Sequence, residues 1–241
     1  MVRTNIPRNS VSFDYEGILS NFISSIVRNQ KDNVISIFLT GSYSRGDATE
    51  SSDVDLWCVF RKIDSQVLSD VRLGICEALP MERSIELNPQ CLSVQEFESD
   101  YFTNWTERPI KVLDAVLLYG DDLVGDRANV SEVELLYKRY LADILLSIRH
   151  YICANESMEE LTYQKIKTHI LKPLMFSLRL ERWCTCGFYP LSNDDLRRAY
   201  DNPIFELVEY FLNPEKCEDD MCVDHRAVLY KMHDLVAKLL V

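Results

Sequence analysis

Two aspartates separated by one residue, Asp53 and Asp55, stand at the head of an apolar run, Leu56 to Phe60. On a strand, residues i and i+2 point to the same face, so these two carboxylates project side by side. Such a pair repels itself, and each member raises the other's pKa unless a cation sits between them. A hard divalent cation removes that cost, and Mg2+ typically takes one or two carboxylates together with substrate phosphates. The phosphate half of such a site lies just upstream. The apolar run from Val34 to Leu39 stops at Thr40-Gly41-Ser42. Gly41 lets a backbone approach closely. Ser42 and the residues after it read as the first turn of a short helix, whose free N–H groups favour a phosphate. Residue types and spacing together imply a metal ion and a phosphate held between two strands.

The elements that must position these groups are legible from periodicity. Residues 15–30 place Ile18, Phe22 and Ile26 on one face of a helix. Strands are expected over 34–40 and 54–60, with the polar turn and short helix over 41–50 between them. Asp64 to Leu79 reads as a helix with Val67, Val71, Ile75 and Leu79 on one side, Asp64-Ser65 as caps and Pro80 as the stop. In Arg83 to Pro89, Ile85 and Leu87 alternate with Glu86, so a strand there would present Glu86 on its polar face. Glu82 is the competing acid. Residues 94–104 read as a short helix before Trp105, Val112 to Tyr119 as a last strand or helix–strand unit, and 120–130 as a linker.

Beyond the linker everything reads helical. Ser131-x-x-Glu134 has the form of a capping box, followed by Val133, Leu136, Tyr140, Ile144, Ile148 and Tyr151 on one face. Ser157-x-x-Glu160 opens a second long helix, with Ile166, Ile170, Leu174 and Leu178 as its stripe and Pro173 as a kink. Further helices are expected after Ser192 and Pro203 and over 224–240. Lys165, Lys172 and Arg179 are seven apart, with Arg182 three further on. Seven residues make two helical turns, so these heads fall on one side, as a phosphate-facing stripe or as an ordinary solvated face.

Gly41-Ser42, three residues, Gly46, five residues, then Ser52-Asp53-Val54-Asp55-Leu56 resembles the signature of the polymerase-β-like nucleotidyltransferase superfamily. The resemblance implies an α+β fold: a small mixed β-sheet catalytic domain over residues 1–125, then an all-α helical bundle over 126–241. It implies transfer of a nucleoside monophosphate from an NTP, ATP by preference, to a hydroxyl, with release of pyrophosphate. Asp53 and Asp55 would hold Mg2+, as two ions, and Gly41 and Ser42 would cradle the β/γ-phosphates with help from Arg45 and Lys172. The family carries a third carboxylate on the strand after the intervening helix. Glu86 is the matching position, and its implied role is general base or third metal contact. Length and two-domain layout resemble the aminoglycoside nucleotidyltransferases, an antibiotic-resistance group, which makes a small-molecule acceptor the first expectation. Nucleotidylation of a protein or RNA, as by the minimal nucleotidyltransferases of toxin–antitoxin pairs, is the second. An inert nucleotide-binding module is the third.

Bulk properties narrow the partners. The chain of 241 residues carries a net charge of −12, and 19 of its 38 acids but only 11 of its 26 bases fall in residues 1–125. A polymerase of long nucleic acid needs basic surface to neutralise phosphates, and no such excess exists here. An acidic surface suits a small cationic acceptor. No apolar run reaches the length of a membrane span, and Met1 to Pro7 has no apolar core of a secretory signal, so a cytoplasmic protein is expected. Eight scattered cysteines fit a reducing compartment. Cys184-x-Cys186 with Cys217 and Cys222 lacks zinc-finger spacing, and the four histidines sit singly.

Overall fold

The computed structural model describes residues 3–79, 85–99, 113–124, 130–153, 162–200, 204, 206, 209–210 and 225–240. The chain divides into two compact units, Met1–Ala128 and Asn129–Val241. The expected Pro80 stop, Glu82, the residues around Trp105, the Ser157-x-x-Glu160 box, and Cys217 with Cys222 lie outside the described residues, and of the helix expected after Pro203 only residues 204, 206 and 209–210 are described, all helical.

The first unit is built on helix α1 (Tyr15–Gln30), strand β1 (Val34–Leu39), the short helix α2 (Gly41–Arg45), strand β2 (Val54–Phe60), helix α3 (Ser65–Ala78), strand β3 (Leu87–Ser93), the single turn α4 (Val94–Glu98) and strand β4 (Val116–Gly120). The sheet order is β3-β2-β1-β4. β1 pairs antiparallel with β2 and with β4, whereas β2 and β3 run parallel. A parallel pair needs a long crossover, and α3 supplies it. The mixed α+β class expected from the sequence is therefore the one observed.

Side-chain alternation divides the sheet into two faces. Val54, Leu56, Cys58 and Phe60 of β2 join Phe22 and Ile26 of α1 and Val67 and Val71 of α3 in the main core. Trp57 and Val59 point the other way, into a smaller cluster with Phe38 of β1 and Phe97 of α4. The Trp57 and Phe97 rings meet edge to face at 5.6 Å, and Trp57 Nε1–H donates to Gln90 Oε1 at 2.9 Å. Asp53 and Asp55 share the parity of Trp57 and Val59, which puts them on this second face, away from α1 and α3.

Helices begin where the capping residues say. Asp14 accepts from Gly17 N–H at the head of α1, and Asp64 accepts from Gln66 and Val67 N–H at the head of α3. Two expectations needed correction. The helix after Gly41 ends at Arg45, because Gly46 takes a left-handed conformation (φ 84°) and its N–H returns to the Ser42 carbonyl. The strand expected to end at Pro89 instead begins at Leu87 and runs through Pro89 to Ser93. β3 is an edge strand, and there a proline without an N–H is tolerated.

The second unit contains α5 (Val130–Cys153), α6 (Tyr163–Ile166), a π-helical turn (Lys167–Leu171), α7 (Lys172–Cys186), α8 (Asn193–Ala199) and α9 (His225–Leu240). Ser131 lies inside α5 rather than capping it. The α5 core stripe is Val133, Tyr137, Leu141, Ile144, Leu145 and Ile148, so Tyr137 and Leu141 replace the expected Leu136 and Tyr140. Ile166, Ile170, Leu174 and Leu178 are buried as expected. The expected kink at Pro173 takes the form of the π turn: Pro173 has no N–H to donate, and Lys172 N–H reaches back to the Lys167 carbonyl. Ser192 and Asp195 form the expected capping box of α8. Among the described residues no helix is long and apolar enough to cross a membrane.

Candidate active site

The two ends of the signature meet where β1 and β2 part. Thr40 N–H donates to the Asp55 carbonyl at 2.9 Å, so the chain leaving β1 starts its turn beside the head of β2. The next residue, Gly41, has φ +73°, a conformation that L side chains rarely adopt. A Cβ placed there would lie 2.3 Å from Asp55 Oδ2. The Asp55 carboxylate therefore packs against the backbone of residue 41, in space that only a glycine leaves to it.

Asp53 is exposed and Asp55 half-buried. Tyr43 is wholly buried in α2. Burial pushes its phenol up to about 12, and the negative charges of Glu50 and Asp53 add to the effect with neighbouring Tyr15. Its hydroxyl has no hydrogen-bond partner among the described residues. Asp55 Oδ1 accepts from Asn88 Nδ2–H at 3.0 Å. The register of the parallel pair, Val54 with Leu87 and Asp55 with Asn88, sets Glu86 beside Asp53, and Val54 N–H donates to the Glu86 carbonyl at 2.8 Å. Glu86 is exposed and shares parity with Asn88, so strand alternation puts it on the face of the two aspartates.

The structure thus brings Gly41, Ser42, Asp53 and Asp55 together around the mouth of β1 and β2, with Glu86 at the adjoining register position just ahead of β3. It does not bring Arg45 to them as a phosphate contact. The Arg45 guanidinium is nearly buried, 2.5 Å from Asp114 and 3.4 Å from Asp47, and it ties α2 to the segment ahead of β4. A charge so paired within the fold costs too much to withdraw for a substrate. Lys172 belongs to the second unit, where it is the exposed first residue of α7. The basic stripe expected around it is broken up. Arg179 is buried, with Nε–H donating to the Pro190 carbonyl and a second nitrogen to Asn193. Arg182 donates to the Ala199 carbonyl and stacks over Tyr200 at 4.4 Å. The π turn between Lys165 and Lys172 also spoils the seven-residue phase, which presumes a regular 3.6-residue helix.

Residues that sequence reasoning passed over hold the turn from behind. Asn9 is buried; its amide N–H2 donates to the Tyr43 carbonyl at 3.0 Å, and its Oδ1 accepts from Ala48 N–H at 3.1 Å. It clamps both ends of the turn after Gly41. The Arg3 guanidinium caps the Ser44 and Asp114 carbonyls. No periodic pattern marks Asn9 or Arg3, because they act through single long-range bonds from an arm with no regular structure. We expect Asn9→Ala to cost about 1–3 kcal/mol by orphaning these buried groups. Chemical denaturation of the variant checks this, and a stability within about 0.5 kcal/mol of the parent would show the clamp to be idle.

Among the described residues no group of three or more His, Cys, Asp or Glu side chains is placed to hold a metal ion together. Asp53 and Asp55 remain as a two-carboxylate set beside the Gly41 turn, and Glu86 does not join them as the expected third ligand. Such oxygen donors fit Mg2+, which keeps water and substrate phosphate in its remaining positions.

The family model described as a nucleotidyltransferase domain matches residues 19–87, a span that takes in the turn, both aspartates and Glu86. The fold is also similar to a solved structure, the spectinomycin adenyltransferase AAD(9) from Enterococcus faecialis with ATP and spectinomycin. The TM-score is 0.55 and the identity 11%, over 93% of this chain and 100% of that one. No curated protein matches the sequence. The nucleotidyltransferase resemblance drawn from the signature agrees with both findings.

Proposed function

We propose that the protein transfers a nucleoside monophosphate from an NTP, ATP first among the candidates, to a hydroxyl of a small, cationic acceptor such as an aminoglycoside. The observation that carries this reading is the pair Asp53 and Asp55 on one face, with Asp55 Oδ2 packed against the bare backbone of Gly41 at the turn after β1. Asp53 and Asp55 would hold Mg2+, as two ions, which would supply charge neutralisation on the triphosphate. The Gly41 backbone and Ser42 would seat its β- and γ-phosphates. Glu86 takes the proton from the acceptor hydroxyl. The oxygen forms its bond to the α-phosphorus, the bond to the α–β bridging oxygen breaks, and pyrophosphate leaves. Positioning and charge compensation do most of the work in such a step.

The acceptor class rests on the acidic charge and on the likeness in fold to a spectinomycin adenyltransferase. The test offers α-labelled ATP, GTP, CTP and UTP with Mg2+ to a panel of aminoglycosides and, separately, to tRNA and cell lysate. Label on a small molecule is expected. Label only on tRNA or protein would replace the acceptor, and metal-dependent NTP binding without product would reduce the protein to a binding module.

For the base, Glu86→Gln should retain NTP binding and slow turnover by about 10²–10⁴-fold. Single-turnover rates measure it. An unchanged rate would move the base role elsewhere.

A further inference from the structure

We propose that Asn88 is a positioning residue for the metal site, acting through Asp55; the inference rests on the reading of Asp53 and Asp55 as metal ligands. The two oxygens of Asp55 have different neighbours. Oδ1 accepts from Asn88 Nδ2–H at 3.0 Å. Oδ2 lies against Gly41, 2.3 Å from where a Cβ would stand at that position. A carboxylate can rotate about its last bond, and this terminal torsion is broad. The Asn88 amide restrains that freedom by tying one oxygen to the sheet and keeping the other on the side of the Gly41 turn.

The placement follows from register rather than from flexible reach. Asn88 is the direct partner of Asp55 across the parallel β2–β3 pair. Its backbone is fixed by an edge strand that continues to Ser93, and it lies one residue beyond the stretch matched to the nucleotidyltransferase domain. An amide donor in this position holds the carboxylate without adding charge, whereas an acid there would restore the repulsion that the ion has to offset. Partners of this kind, one bond removed from the metal, typically change its affinity 10–100-fold when lost.

The test is a Mn2+ titration followed by electron paramagnetic resonance, in the presence of a non-hydrolysable ATP analogue, on the full chain. Asn88→Leu keeps the volume of the side chain and deletes the donor, and Asn88→Ala deletes the donor alone. Both should bind Mn2+ about 10–100-fold more weakly than the parent. Their kcat should return to within about twofold of the parent at saturating metal, since the groups that move the proton and seat the phosphates are untouched. A role in packing would instead spare Asn88→Leu, and excess metal would not cure it. Parent-like Mn2+ affinity in either folded variant overturns the proposal while leaving the metal reading intact. A parent protein that binds no Mn2+ with nucleotide overturns the metal reading and this inference together.

Discussion

Asp55→Asn is expected to lower the rate of nucleotidyl transfer by at least about 10³-fold, and Asp53→Asn to do the same. Lost charge stabilisation by a metal ion is worth several kcal/mol, and each 1.36 kcal/mol is tenfold in rate. The substitutions are isosteric and sit outside both apolar clusters, so the core around Leu56, Cys58 and Phe60 is unaffected. Without metal, removing one of two neighbouring like charges relieves repulsion. The thermal midpoint of either variant should therefore equal or exceed that of the parent in EDTA. This combination of inactive and no less stable separates a ligand role from a structural one. A variant that is slow because it is partly unfolded would contradict the assignment, as would one that keeps its rate.

Gly41→Ala should be nearly as damaging for a different reason. The left-handed backbone at φ +73° costs a non-glycine residue about 1–2 kcal/mol. The larger effect is local. The new methyl would meet Asp55 Oδ2 at 2.3 Å, and the atom that yields is the end of a side chain, not a backbone atom. The fold accommodates this by swinging the carboxylate away, which misplaces a ligand. A displacement of about 1 Å at a reacting centre can cost 10²-fold, so kcat/KM should fall by at least about that factor. Steady-state kinetics with the NTP varied, together with a melting curve, read both effects. A loss of rate no larger than the loss of folded protein would show that Gly41 serves the turn alone.

The parts of this molecule that were legible in the sequence are those set by local rules. The 3.6-residue spacing of Ile18, Phe22 and Ile26 gave α1, and Asp64 marked the start of α3. The alternation at Asp53 and Asp55 placed both acids on the face that α1 and α3 leave uncovered. Errors arose where tertiary context overrode a local signal. Pro89 looked like the end of a strand but lies within one, because an edge strand can lack one N–H. Leu136 and Tyr140 fit a helical face, yet Tyr137 and Leu141 fill the core of α5. The heptad of basic residues assumed an unbroken helix and met a π turn. Arg45 lay within the signature, but its partner Asp114 is 69 positions away, and no spacing rule connects them. Asn88 was invisible for the same reason: its role depends on a pairing register 33 residues away in sequence.

The most direct measurement of the central claim is equilibrium binding of a non-hydrolysable ATP analogue to the parent and to the Asp53→Asn/Asp55→Asn double variant, each with Mg2+ and with EDTA. The account expects tight binding only by the parent and only with Mg2+, while the double variant stays folded and binds weakly in either condition. Equal binding by both proteins, or binding by the parent that ignores EDTA, would contradict it.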